Sequence, residues 1–300
     1  MAMAPGIQPV ERLRTYASFV RFEHTLFSLP LILAGIFSAP GASMSLPRWL
    51  VVGAAAVAAR TAAMALNRLI DWRLDALNPR TRGRELPAGK MRPFEAWALL
   101  LASVAAYLAA CAWLGPWYLR VAAIPLAVFA AYPYLKRFTP FCHVGVGVAL
   151  ALAPLAGFAA AHPEFTDFVP VLWIAGFALC WVTGFDIIYA TLDEAFDREH
   201  RLRSMVAWCG REKALRISAA LHLLAFLSLA VACVWILFGS GAPAGWGLPA
   251  VGAMLAVTAA LLYLEQKWAE DVDLAFFKVN AFAGIAVLAA VLLARAARGF

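Results

Sequence analysis

Nine apolar runs, each about the length needed to cross a hydrocarbon layer, leave this chain few ways to fold. They cover roughly 22–39, 48–69, 94–114, 117–135, 142–161, 168–190, 214–238, 246–264 and 275–294. A membrane-spanning helix needs about 17–25 predominantly apolar residues, and all nine runs fall in that range. Turn signals separate them: Pro40-Gly41, Gly115-Pro116, Pro140, His162-Pro163 and the stretch from Gly239 to Gly247. At 64% hydrophobic and 14% charged residues, the chain is well beyond the roughly half apolar content of soluble domains. No linker or low-complexity segment divides it, so a single domain over 1–300 is expected. The fold expected is an all-α, polytopic bundle of nine transmembrane helices around a central cavity, with the lipid bilayer as its first partner.

Charge sets the orientation. The net charge of +7 would suit a nucleic-acid partner, but 20 of the 25 Lys and Arg residues lie in the N-terminal tail and in alternate loops on one side of the predicted spans. Cytoplasmic loops carry such an excess, so no nucleic acid is invoked. An inner-membrane, multi-pass protein with its N-terminus and acidic motifs on the cytoplasmic side is expected. The first run contains Glu23 and His24 and reads as a retained span rather than a cleaved leader. The five cysteines are scattered, with neither zinc spacing nor a disulfide framework.

Against this background the acidic residues stand out. Asn67, Asp71 and Asp75 recur every four residues, and Asp186, Asp193 and Asp197 follow 119 to 122 positions later. Four-residue steps drift only about 40° around a helix, so each set is expected along one helix face. Both sets sit where an apolar run meets a basic loop. Spans 2 and 6, which carry them, have three others between them, so they cross in the same direction and both motif ends face the same side. Ionisable residues at a membrane edge are costly unless compensated and mark functional sites. Oxygen-only ligands suit Mg²⁺, which uses a couple of carboxylates and completes its shell from water and substrate phosphate. Two acidic clusters beside many arginines therefore suggest divalent metal and a polyphosphate.

The motifs read N-R-L-I-D-W-R-L-D from Asn67, N-P-R-T-R-G-R-E-L-P-A-G from Asn78, and D-I-I-Y-A-T-L-D-E-A-F-D from Asp186, with Y-P-Y-L-K from Tyr132 to Lys136 between them. Together they resemble the UbiA superfamily of intramembrane prenyltransferases over nearly the whole chain. The resemblance implies transfer of a prenyl or polyprenyl group from its diphosphate to an aromatic ring. Asn67, Asp71 and Asp75 would hold one Mg²⁺ and Asp193 and Asp197 a second, with Asp186 nearby; the four aspartates Asp71, Asp75, Asp193 and Asp197 are also the expected catalytic set. It further implies diphosphate contacts from Arg80, Arg84, Lys136, Tyr132 and Tyr189. Topology signalling by Arg80 and Arg84, or interfacial anchoring by Lys136, is the plainer alternative.

Arg60 is the odd cation, two turns before Asn67 inside an apolar span. It is expected either to bind the carboxylate of an aromatic acid acceptor or to form a structural ion pair. His24, in F-E-H-T-L-F-S-L-P, is a second candidate for the acceptor. Two departures from the family pattern bear on the loops: Glu85 follows Arg84 where proline is common, and Arg203-Ser204-Met205-Val206 stands where H-S-I-P is expected.

The resulting expectation is Mg²⁺-dependent prenylation of a 4-hydroxybenzoate-like acid in quinone biosynthesis. Prenylation of a dihydroxynaphthoate for menaquinone biosynthesis is the near alternative. A cation-coupled transporter is the alternative from another class; it would need polar residues reaching toward the far side, whereas the outer halves of spans 2 and 6 are almost wholly apolar.

Overall fold

The structure is a computed structural model, and it describes residues 9–21, 25–41, 44–239, 244–269 and 279–299. Among these residues regular structure is entirely helical. In chain order the helices are α1 (Pro9–Phe19), α2 (Thr25–Ile36), α3 (Leu46–Leu77), α4 (Pro93–Leu114), α5 (Pro116–Val121), α6 (Ala123–Leu135), α7 (Cys142–Ala161) and α8 (Val169–Ala190). After a 3-10 turn at Thr191–Asp193 follow α9 (Glu194–Glu199), α10 (Met205–Cys209), α11 (Arg211–Phe238), α12 (Gly247–Lys267) and α13 (Asn280–Ala297).

Eight helical segments among the described residues are long and apolar enough to cross a membrane. They match the second to ninth predicted spans; the first is represented by the 12 residues of α2, which adjoins residues outside the described set. The predicted span at 117–135 is two helices, α5 and α6. Pro125 has no N–H to give the Val121 carbonyl four residues back, so the helical ladder is interrupted there. Large side chains such as Trp97, Leu101, Leu223, Leu224 and Trp235 are exposed, as lipid-facing positions require of a multi-pass membrane protein.

The chain divides into two compact units, Met1–Thr25 with Gly53–Pro133, and Leu26–Val52 with Tyr134–Phe300. In the first unit, Phe19 and Val20 pack on Ala62 and Ala65 of α3, on Leu86 and Met91 of the following loop, and on Ala96 and Leu100 of α4. Small residues on α3 let these neighbours approach closely, which is how membrane helices gain packing without a hydrophobic driving force. Glu95 fastens the same end: it accepts from the Arg92 N–H (2.8 Å), from Tyr16 Oη (3.2 Å) and from Arg12 (2.9 Å).

In the second unit α8 is the most buried spanning helix and packs against both α7 and α11. Its Trp181 is fully buried and donates its indole N–H to Asn280 Oδ1 (3.1 Å). The approach to α11 depends on Gly184, where any Cβ would strike the His222 ring. On the other side, α2 meets α7 at Gly35, where a Cβ would collide with the Pro154 backbone.

Candidate functional site

The first acidic motif lies in the last three turns of α3. With 32 residues this helix is about 48 Å long, against about 30 Å for a hydrocarbon core. The apolar part ends near residue 69, and the motif occupies the excess. Asn67 is half-buried, while Asp71 and Asp75 are 4% and 6% exposed. Arg84 returns from the loop so that its Nη1 donates to both Asp75 oxygens, at 2.7 and 2.8 Å. Arg68, also buried, brings a second guanidinium to 4.0 Å from Asp75. Arg68 counted as a loop cation in the sequence, and only its place on α3 beside Asn67 hinted at this role.

The loop that delivers Arg84 is a chain of turns rather than loose coil. The Asn78 side chain accepts from the Arg80 N–H (2.9 Å), and Thr81 Oγ1 donates to the Asp75 carbonyl (3.1 Å). Local bonds of this kind are why Asn and Thr favour such positions. Arg84 N–H continues to the Thr81 carbonyl at 2.9 Å. Arg80 itself is exposed. Glu85, in place of the common proline, accepts from Ser18 Oγ at 2.6 Å and ties the loop to the segment around α1. Arg60 donates to the Arg21 carbonyl at 3.4 Å, just beyond α1.

The second motif does not share one helix face, contrary to expectation. Asp186 is on α8, Asp193 closes the 3-10 turn, and Asp197 is on α9. Thr191 Oγ1 donates to the Ile188 carbonyl (2.7 Å), and Asp193 leaves helical geometry at φ −107°, ψ 4°. A hydroxyl competing for a helix carbonyl at a terminus favours such a break. Asp193 is half-buried and Asp197 is buried. Asp197 is hydrogen-bonded by the Ser204 hydroxyl and feels the charges of Asp193 and Lys136.

His143, which its sequence position did not single out, holds Asp186: its Nδ1 lies 2.6 Å from Asp186 Oδ2. Its Nε2 accepts the Met205 N–H at 3.2 Å. A backbone N–H can only donate, so Nε2 carries no proton and Nδ1–H is the donor to the carboxylate. A histidine in the first turn of an apolar span was the available signal. The residues after the motif are docked by the same region: Arg203 N–H bonds the Lys136 carbonyl (2.7 Å), and Arg203 Nη1 the Phe138 carbonyl (2.9 Å). Ser204 Oγ accepts from the Ala207 N–H (3.2 Å) and caps α10.

The structure thus gathers Asp75, Arg84 and Arg68 in the first unit, and gathers Asp186 with His143 and Asp197 with Ser204 in the second. Tyr189 is half-buried and packs on the Ile188 and Ala269 cluster. Tyr132 and Lys136 are half-buried at the end of α6 and just beyond it. His24 lies outside the described residues. No three His, Cys, Asp or Glu side chains converge as a self-sufficient metal cage among the described residues. The first motif offers two carboxylates and an amide oxygen, and the second at most three carboxylates. That donor set fits Mg²⁺, which is commonly bound through one or two carboxylates plus water and substrate phosphates.

An all-helical, multi-pass membrane protein with two acidic motifs at helix ends, one clasped by arginines, is the class these features define. The chain belongs to the UbiA prenyltransferase family, which its residues 28–282 match. Over 94% of its length it is 27% identical to a 4-hydroxybenzoate octaprenyltransferase of Aeromonas hydrophila, covering 97% of that protein. It is 32% identical to the enzyme of the same name from Pseudomonas putida, over 57% of each chain. Among solved structures, a UbiA homologue from Aeropyrum pernix in its apo form superimposes with a TM-score of 0.76 at 32% identity, over 90% of this chain and 97% of that one. The homologue from Archaeoglobus fulgidus bound to GPP and Mg²⁺ shares the fold, with a TM-score of 0.67 at 18% identity over 95% and 100% of the two chains.

Proposed function

We propose that this protein, acting as one domain over its whole length, transfers a prenyl or polyprenyl group from its diphosphate to an aromatic acid of the 4-hydroxybenzoate type, as a step of quinone biosynthesis. The reaction forms a bond from the prenyl C1 to a ring carbon, breaks the C1–O bond to diphosphate, and releases the ring proton. The observation that carries this reading is the meeting of Asp75 with Arg84 and Arg68: a carboxylate for metal and cations for phosphate share one helix end. The full-length similarity to 4-hydroxybenzoate octaprenyltransferases supports the choice of acceptor.

Asn67, Asp71 and Asp75 are assigned to one Mg²⁺, and Asp193 and Asp197 to a second, with Asp186 beside them. When bound, the metal neutralises charge developing on the leaving diphosphate. Arg80, Arg84, Lys136, Tyr132 and Tyr189 are assigned to the diphosphate, where guanidinium groups suit phosphate oxygens. Arg60 and His24 are assigned to the acceptor. The apolar helices keep water from the reacting carbon. We place the protein in the inner membrane with the acidic motifs cytoplasmic, on the strength of its basic-residue bias.

The test is to incubate purified protein with Mg²⁺, geranyl or longer prenyl diphosphates, and 4-hydroxybenzoate or a dihydroxynaphthoate, and to identify products by mass spectrometry. A prenylated hydroxybenzoate with metal-dependent diphosphate release is expected. Exclusive prenylation of the naphthoate would move the protein to menaquinone biosynthesis, and the absence of any prenylated acid would refute the assignment.

A further inference from the structure

The second acidic motif is interrupted, so something other than one straight helix must fix Asp186 relative to Asp197. The two acids belong to different helices, with a 3-10 turn between them. A single buried side chain reaches both α8 and the segment that follows α9. His143 is 4% exposed. Its Nδ1–H donates to Asp186 Oδ2 on α8 (2.6 Å), and its Nε2 accepts from the Met205 N–H (3.2 Å). Met205 follows Ser204, whose hydroxyl bonds Asp197. The neighbouring Cys142 Sγ donates to the Arg203 carbonyl at 3.5 Å, so the first turn of α7 grips the whole 203–205 segment.

We propose that His143 is a positioning residue of the prenyl-transfer site: it fixes Asp186 directly and Asp197 through the Met205–Ser204 segment, setting the spacing of the second acidic motif. The inference rests on the proposed function. Its two bonds have separate roles, because one ends on a carboxylate and the other on a backbone N–H. The bond to the charged carboxylate carries more energy than the neutral one.

Isosteric amides separate the two. In His143→Asn the amide nitrogen replaces Nδ1 and keeps the donor to Asp186; in His143→Gln the amide oxygen replaces Nε2 and keeps the acceptor for Met205. Losing a hydrogen bond to a charged group predicts about a ten- to hundredfold fall in kcat for His143→Ala and His143→Gln. His143→Asn is expected to recover at least tenfold over His143→Ala, with the acceptor KM unchanged throughout. A readout independent of turnover is the Mg²⁺ concentration needed for an unreactive prenyl thiolodiphosphate to raise the thermal unfolding midpoint. That concentration should rise for Ala and Gln and return toward the wild-type value for Asn.

Equal impairment of the Asn and Gln variants, or full activity of His143→Ala, would overturn the positioning role. If His143→Ala does not fold, the Asn and Gln pair still decides the matter. Asp193→Ala is run alongside. Were it fully active, the two-motif reading itself would fail; were it inactive while every His143 variant stayed at wild-type levels, only the inference about His143 would fail.

Discussion

Removing Arg84 should cost stability as well as activity, and the two losses can be separated. The Asp75 side chain is 9% exposed and that of Arg84 21% exposed, and their contact is 2.7 Å. Breaking a buried ion pair by deleting one partner costs about 3–5 kcal/mol, because the other charge stays behind. Two features reduce that figure here: Arg84 is partly exposed, and Arg68 stands 4.0 Å from the same carboxylate. Arg84→Ala should therefore lose about 2 kcal/mol. In an Asp75→Asn background the stranded charge is gone, and the same deletion should cost no more than about 0.5 kcal/mol, a coupling of about 1.5 kcal/mol. The assay is reversible unfolding in mixed detergent micelles for the wild type, both single variants and the double variant. Equal costs of Arg84→Ala in the two backgrounds would show that the pair contributes nothing beyond its separate side chains, and the loop would have to be held by its Asn78 and Thr81 turns alone.

Other expectations follow from the site. Replacing Asp71, Asp75, Asp193 or Asp197 singly with Ala should lower turnover by about a hundredfold or more; near-normal rates in two of the four, measured with saturating Mg²⁺, would defeat the two-metal reading. Arg60→Ala should raise the acceptor KM by an amount equivalent to roughly 2–5 kcal/mol and leave the prenyl diphosphate KM nearly unchanged; steady-state kinetics showing the reverse would mean that Arg60 serves the donor. Cysteines introduced at Arg82 and Arg201, both exposed, should react with impermeant maleimide only from the cytoplasmic side, and labelling of both from outside intact cells would invert the proposed orientation.

The layout of spans was readable because a hydrocarbon layer imposes a length, and eight of nine predicted runs reappear as helices of spanning size among the described residues. The first motif was expected on one helix face, and α3 carries it past the end of the apolar run to Leu77, because nothing in N-R-L-I-D-W-R-L-D breaks a helix and its polar face has partners in Arg84 and Arg68. The second motif was less readable. The regular acidic spacing at 186–197 suggested one face, and the local bond from Thr191 to a helix carbonyl broke it; such competition is decided by three residues and leaves no periodic trace. The acids themselves were visible since charge at a membrane edge is expensive. Their holders were not. Arg68 was one cation among seven in its stretch, and His143 had no ligand spacing, so only three-dimensional contact could single them out.

The two departures from the family pattern can be judged on the same physical grounds. Proline after Arg84 would fix the chain direction through its ring; Glu85 restrains the same point by a hydrogen bond to Ser18 at 2.6 Å. That contact joins the loop to residues just before Phe19, which is itself fully buried against α3. In the second loop Ser204 retains its place, bonding Asp197 and capping α10. Val206, where proline is expected, is fully buried with Ile187, Ala190 and Ala214. Arg203 replaces a histidine and spends its backbone N–H and its guanidinium on the carbonyls of Lys136 and Phe138. Each substitution therefore exchanges one way of holding a loop for another, and none removes an oxygen donor from either motif.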